Sequence, residues 1–182
     1  MKTIRVCHVM TADLWAGAEV QLATTLSYLA TRDDFALMAV LFNEGRLAEE
    51  LRRLGVEVAI IDERQRGPAA IVRFLVRHLA GRRVDIVHTH RYKDTVLGAV
   101  AARRAGVPRV VRTVHGLPEP MSFWPRTKCQ AFDLLSRGIL RLAGDRVIAV
   151  SRTLADALAR SGYRTSALTT IHNGVDLSQV KS

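Results

Sequence analysis

A chain of 182 residues can bury roughly 70% of its unfolded surface, enough for one α/β-sized domain without a disulfide or metal staple. Its 27 Lys and Arg against 17 Asp and Glu leave a net charge of +10, which points to anionic partners. Only 5% of residues are aromatic and none interleaves with basic residues on a strand pattern, which argues against a stacking platform for nucleic acid; no ~18-residue apolar run suggests a spanning helix.

In chain order, "IRVCHVM" opens as a strand, Ile4 to Met10, broken by Arg5 and His8 too early for a signal peptide. A helical pattern follows near Ala18 to Ala30, then a strand at Ala36 to Phe42 and a helix at Arg46 to Leu54. Next come a strand at Val56 to Ile61, a helix at Ala69 to Ala80, a strand at Asp85 to Thr89 and a helix at Thr95 to Ala105. The chain closes with a strand at Arg109 to Val114, a helix at Lys128 to Leu142, a strand at Arg146 to Val150, a helix at Arg152 to Arg160 and a strand at Leu168 to Ile171. "RLGVEVAII" and "RAGVPRVV" each set a glycine after a helix and then open a strand. Apolar strands alternating with helices predict an α/β fold, a Rossmann-like doubly wound parallel sheet of about seven strands. The two distant cysteines, Cys7 and Cys129, suit a reduced cytoplasmic protein.

In such a sheet ligands bind beyond the carboxyl ends of the strands. That rim carries "TADLWAGAEVQ", "HTHRYKD", "HGLPEP", "SRT" and "HNGVD", whereas the opposite rim holds only helix caps and charges. Gly17 serves either a tight turn or a phosphate approaching bare backbone at a helix N-terminus. His88 and His90 share a face if the extended backbone persists through Thr89. His88 reads as a structural histidine, and a zinc reading of the pair lacks a further cysteine or histidine nearby. His115 ends an apolar strand before Gly116 and Pro118, which leaves its ring at the crevice or bonded to nearby backbone. Ser151 reads first as an N-cap. The motifs G-x-G-x-x-G and G-x-S-x-G are absent, and Asp13, Glu19, Glu44, Asp94, Glu119 and Asp176 form no evident acid/base pair.

The segment "RQRGPAAIVRFLVRHLAGRR" has an apolar face of Ile71, Phe74, Leu75 and Leu79, ringed by Arg66, Arg73, Arg77, Arg82 and Arg83. It fits a helix lying on an anionic membrane surface, or a sheet-packing helix with a solvated basic face. A genome that uses arginine freely accounts for the charge equally well.

Three blocks, "AGAEVQLATTLSYLA", "DIVHTHRYKDTVLGAVAARRAGVPRVVRTVHG" and "VIAVSRTLADALARSGYRTSALTTIHNGVDL", resemble the N-terminal, acceptor-binding domain of family 4 retaining glycosyltransferases, which have the GT-B fold. The resemblance implies a nucleotide-sugar donor as co-substrate, no metal or other cofactor, and a glycan or lipid-linked acceptor. Polysaccharide or glycolipid synthesis at the inner membrane face would be the setting. On the family's pattern His115 would be the catalytic histidine contacting the donor sugar, and Gly17, Ala16, Ser151 and Asn173 would lie on the donor side. His90, Arg91, Lys93 and Glu19 would border the acceptor. The family's loop usually reads Gly-Gly, so with Ala16 in the first place Gly17 carries the backbone contact. Residues 1–172 would form the domain and 173–182 the start of a linker. The nucleotide-gripping C-terminal domain is not within the 182 residues, so the domain alone would be inactive. A non-catalytic α/β module that binds an anionic ligand or partner protein is the competing reading.

Overall fold

The computed structural model describes residues 3–12, 14–116, 134, 135, 138 and 146–175. Its elements are β1 (Ile4–Met10), α1 (Gly17–Leu29), β2 (Phe35–Leu41), α2 (Arg46–Arg53), β3 (Glu57–Ile60), α3 (Pro68–Ala80) and β4 (Ile86–Thr89). They continue with α4 (Tyr92–Arg104), β5 (Arg109–Val114), β6 (Arg146–Ala149), α5 (Arg152–Arg160), a 3-10 turn (Thr165–Ala167) and β7 (Leu168–Thr170). All seven strands pair in parallel, in the order β3-β2-β1-β4-β5-β6-β7. The order reverses between β1 and β4, which opens a crevice at their carboxyl ends.

Period-two alternation divides the core between the two faces of the sheet. Cys7, Val9, Val87, Val110, Val114, Val147 and Ala149 point to one side, where they meet Ile71, Leu75 and Leu79 of α3, Leu97 of α4, and Leu154 and Leu158 of α5. Met10, Ala39 and Leu41 point to the other, against Leu22 and Leu26 of α1 and Leu47 and Leu51 of α2. Helix α4 sits close because it carries Gly98 there: a Cβ would stand 3.0 Å from Thr89 Cγ2 and 3.6 Å from Val87. Burial, only partly opposed by the Arg82 charge, pushes the Cys7 thiol up to about 12, so it behaves as an inert core group.

The glycines in "RLGV" and "RAGV" are helix stops. Gly55 and Gly106 take φ of 76° and 75°, and the following residues bond back across the last turn, Val56 N–H to Leu51 O at 3.0 Å and Val107 N–H to Ala102 O at 2.8 Å. Helix α4 starts at Tyr92, three residues earlier than the sequence pattern suggests, because the Thr95 N–H bonds the Arg91 carbonyl at 2.9 Å. The stretch "YKD" is therefore a first helical turn and not a loop. The helix expected over 128–142 lies outside the described residues except for Leu134, Leu135 and Gly138, which are helical, and Leu135 is 50% exposed. Asp13, Pro118, Glu119, Cys129 and Asp176 also lie outside them.

Candidate functional site

The switch point collects histidines. His8 of β1 pairs in register with His88 of β4, and the side-chain period puts His90 on the same face as His88. His88 aligns with Val111 of β5, so Thr113 and His115 point that way too. This is the face that α1 and α2 cover, since Met10 lies two residues beyond His8. The ring centroids of His88 and His90 are 4.6 Å apart at 25°. The extended backbone does persist through Thr89.

His88 Nε2 bonds Thr113 Oγ1 at 2.8 Å, which satisfies one of its nitrogens within the fold. His8 Nδ1 and His90 Nε2 are 3.3 Å apart, and His90 Nδ1 and His115 Nε2 are 3.2 Å apart. Burial lowers all four pKa values, with each ring's neighbours assisting. His88 and His115 fall to about 4, and Arg91 adds its charge against His115. His8 and His90 are likewise held well below the ordinary imidazole value, by burial first and neighbouring rings second. The cluster is thus a set of neutral imidazoles at physiological pH, able to donate or accept hydrogen bonds without bringing charge.

The sequence offered no third histidine beside His88 and His90, and here the structure differs: nitrogens of His8, His88 and His90 lie within 4.8 Å of one another. The arrangement does not favour an ion. His88 Nε2 faces Thr113, and the nitrogens joining His8 to His90 face each other. A metal needs lone pairs converging at about 2.0–2.1 Å from a single point.

Around this cluster the charged residues are paired. Glu19, in the first turn of α1, is fully buried and forms an ion pair with Arg91; Lys93 pairs with Glu63. Glu19 is therefore buried behind Arg91, and the basic edge of Arg91 and Lys93 is partly neutralised. Asp94 accepts from the Thr11 N–H at 3.1 Å and Thr11 Oγ1 at 2.8 Å, tying the end of β1 to the start of α4. Burial nevertheless raises its carboxyl to about 6.

Ala16 is the extended N-cap of α1, with φ −132° and ψ −175°, a conformation alanine adopts freely, and no side chain caps the helix there. Gly17 is the first helical residue, and a Cβ on it would meet nothing within 4 Å. The fold itself does not require that glycine. Ser151 does cap α5, accepting from the Leu154 N–H at 3.1 Å.

Residues 171–174, which follow β7, return to the same face. With its amide oxygen turned to the Gly174 N–H, Gln21 of α1 bonds Gly174 on both sides, at 3.0 and 3.2 Å. Among the described residues, His88, His115, Thr113, Gln21, Tyr28 and Asn173 contribute to the walls of a cavity of about 370 Å³. His8 and Gln21 escaped the sequence reading. The first looked like a flaw in an apolar strand, and the second like one more polar residue on a helix.

The arginine-rich helix packs on the sheet, the second of the two readings that its sequence allowed. Ile71, Leu75 and Leu79 of α3 are at most 1% exposed and belong to the core, so its apolar face is not free to enter a bilayer. Arg82 is bound to Glu57 at 2.6 Å and to the His78 carbonyl, while Arg66, Arg73, Arg77 and Arg83 stay exposed. Among the described residues no helix is long and apolar enough to cross a membrane.

The model of Glycosyltransferase Family 4 matches residues 15–179. The chain belongs to glycosyltransferase family 4. Its fold is that of one Rossmann-like half of the GT-B architecture. Anabaena HepE crystallised with UDP-glucose is 21% identical and superposes with a TM-score of 0.76, covering 96% of this chain and 45% of that one. A Rickettsia africae glycosyltransferase is 18% identical at a TM-score of 0.75, covering 97% and 44%. A 42-residue stretch is 57% identical to the Escherichia coli UDP-Gal:alpha-D-GlcNAc-diphosphoundecaprenol alpha-1,3-galactosyltransferase, which is 23% of this chain and 11% of that protein. The family 4 chain thus spans under half the length of the structures it resembles.

Proposed function

We propose that the chain is the N-terminal, acceptor-binding half of a retaining glycosyltransferase that moves a hexose from a UDP-sugar to a lipid-diphosphate-linked glycan. The observation that carries this reading is the row of neutral imidazoles at the switch point, ending on His115 at the strand-end rim. An oxocarbenium-like sugar and a departing diphosphate need donors preorganised around developing charge more than they need a strong base. A neutral His115 supplies a hydrogen bond to the sugar without adding positive charge next to that cation. Gly17 leaves the N-terminus of α1 open to phosphate oxygens, and Ala16, Ser151 and Asn173 line the donor side. His90, Arg91 and Lys93 face the acceptor. UDP is preferred as the nucleotide because the HepE complexes hold UDP and UDP-glucose. The lipid-diphosphate acceptor is preferred because of the galactosyltransferase with the locally similar stretch.

On this reading a C-terminal domain grips the nucleotide, residues from 173 onward lead to it, and the N-terminal half alone does not turn over. No metal is required. The setting is the synthesis of a cell-surface polysaccharide or glycolipid at the cytoplasmic face of the membrane, where exposed Arg66, Arg73, Arg77 and Arg83 meet anionic headgroups without insertion. The test supplies the intact gene product with a panel of UDP-hexoses and a short diphosphate-lipid glycan, then assigns the anomer of the product by NMR. Transfer from one UDP-sugar with the donor's anomeric configuration kept supports the reading. An inverted product, or no turnover of any nucleotide-sugar, overturns it.

A further inference from the structure

Three of the imidazoles form a chain rather than a heap. The rings of His8 and His90 have centroids 5.6 Å apart at 20°, and those of His90 and His115 are 5.5 Å apart at 26°. With nitrogens 3.3 and 3.2 Å apart, these are rings laid edge to edge, each link nearly in the plane of both partners. His88 differs, since its ring packs 4.6 Å from His90 and its Nε2 is engaged with Thr113.

A neutral imidazole carries one N–H and one bare nitrogen. Two N–H···N bonds can pass through three such rings only when all three N–H groups run in the same direction. The chain therefore has two ordered states. In one, every ring is protonated on Nδ1, His8 ends in a bare Nε2, and His115 ends in an Nδ1–H. In the other, every ring is protonated on Nε2 and the ends are exchanged. Both terminal atoms, His8 Nε2 and His115 Nδ1, are buried without a partner in the fold. A buried orphan N–H is the rarer and costlier of the two kinds of end. Both rings border the cavity, but His8 is 2% exposed in the sheet, whereas His115 is partly exposed at the rim.

We propose that His8 and His90 are positioning residues that fix the tautomer of His115, all three rings carrying their proton on Nδ1, so that His115 Nδ1 presents an N–H to a ligand oxygen. The bare nitrogen then rests on the more deeply buried ring, where an unmet lone pair costs least. The N–H rests on the less buried ring, at the rim, where a sugar hydroxyl or phosphate oxygen that reaches Nδ1 can accept it. His8 touches no ligand in this scheme and acts solely through His90. The ligand chemistry rests on the transferase reading, but the order of the protons does not.

Long-range ¹H–¹⁵N correlation spectra of ¹⁵N-histidine-labelled protein at pH 7.5, without ligand, read the tautomer of each ring directly. The expected result is Nδ1–H at His8, His90 and His115, against the Nε2–H form that a free histidine side chain favours in water. His8→Phe removes the first donor, and His90 and His115 then shift toward Nε2–H. His8→Asn, whose amide nitrogen stands near the place of Nδ1, restores Nδ1–H at both. A ring protonated opposite to its neighbours, all three on Nε2, or an unshifted His115 in His8→Phe overturns the proposal. The wild-type spectrum decides even if a variant fails to fold. Because no nucleotide-sugar is added, failure here is separate from failure of the transferase reading.

Discussion

Holding four imidazoles uncharged makes acid the weak side of this fold. His88 and His115 titrate near 4 in the folded chain, against 6.5 as the ordinary value, and His8 and His90 are displaced in the same direction. A lowered folded pKa contributes stability that is complete above about 6.5 and is lost as the pH falls toward 4. Through that window the unfolded chain binds up to four protons that the folded one refuses. Asp94 works the other way: raised to about 6, it takes up a proton on folding and offsets one of the four. Each unbalanced proton changes the unfolding free energy by about 1.4 kcal/mol per pH unit, so three give a slope of roughly 4 kcal/mol per unit near pH 5. Against a typical total of about 5–15 kcal/mol, the domain should lose its fold within one to a few units below pH 6.5. Urea unfolding followed by far-UV circular dichroism at pH 7.5, 6.5 and 5.5 measures the slope. His88→Gln, which keeps a polar group near Nε2 for Thr113, should lower it by about one proton. A midpoint unchanged from pH 7.5 to 5.5 would refute the picture of buried neutral histidines.

Two glycines should answer alanine in opposite ways. Gly98→Ala drives a Cβ to 3.0 Å from Thr89 Cγ2; overpacking of about 1–3 kcal/mol, less the ~1 kcal/mol that alanine gains in a helix, leaves a net loss of about 1 kcal/mol by thermal or urea unfolding. Gly17→Ala meets open space and should leave stability within about 0.5 kcal/mol while raising the donor KM of the intact enzyme; an unchanged KM would remove Gly17 from the donor site. Gln21→Ala breaks two bonds to Gly174, and faster amide hydrogen exchange at residues 172–174 with little change in global stability is the expected outcome.

Strand limits were most legible where β-branched and apolar residues dominate a short run. β1 and β5 fall where the sequence puts them, and past their exposed first residues most positions are buried by tertiary packing on one face or the other. The start of α4 was hidden because Tyr92, Lys93 and Asp94 look like a polar loop, and only contact with Thr11 in another element explains why Asp94 is buried. The basic helix posed the same difficulty: its apolar stripe was plain, but not whether a sheet or a bilayer covers it. His90 and His115 could be placed on the working rim from local pattern alone. His8 could not, since its neighbours are set by the strand order that puts β1 beside β4. Ion pairing decided the rest, drawing Glu19 inward to Arg91 where the sequence set it on the working rim.

The most direct measurement is turnover of the UDP-sugar by the intact protein carrying His115→Ala, set beside its unfolding free energy. Loss of one preorganised donor should lower kcat by about 10²-fold or more, with the fold kept. A variant that turns over like the wild type, or loses activity only in proportion to lost folded protein, would contradict the role of His115 and with it the account of the site.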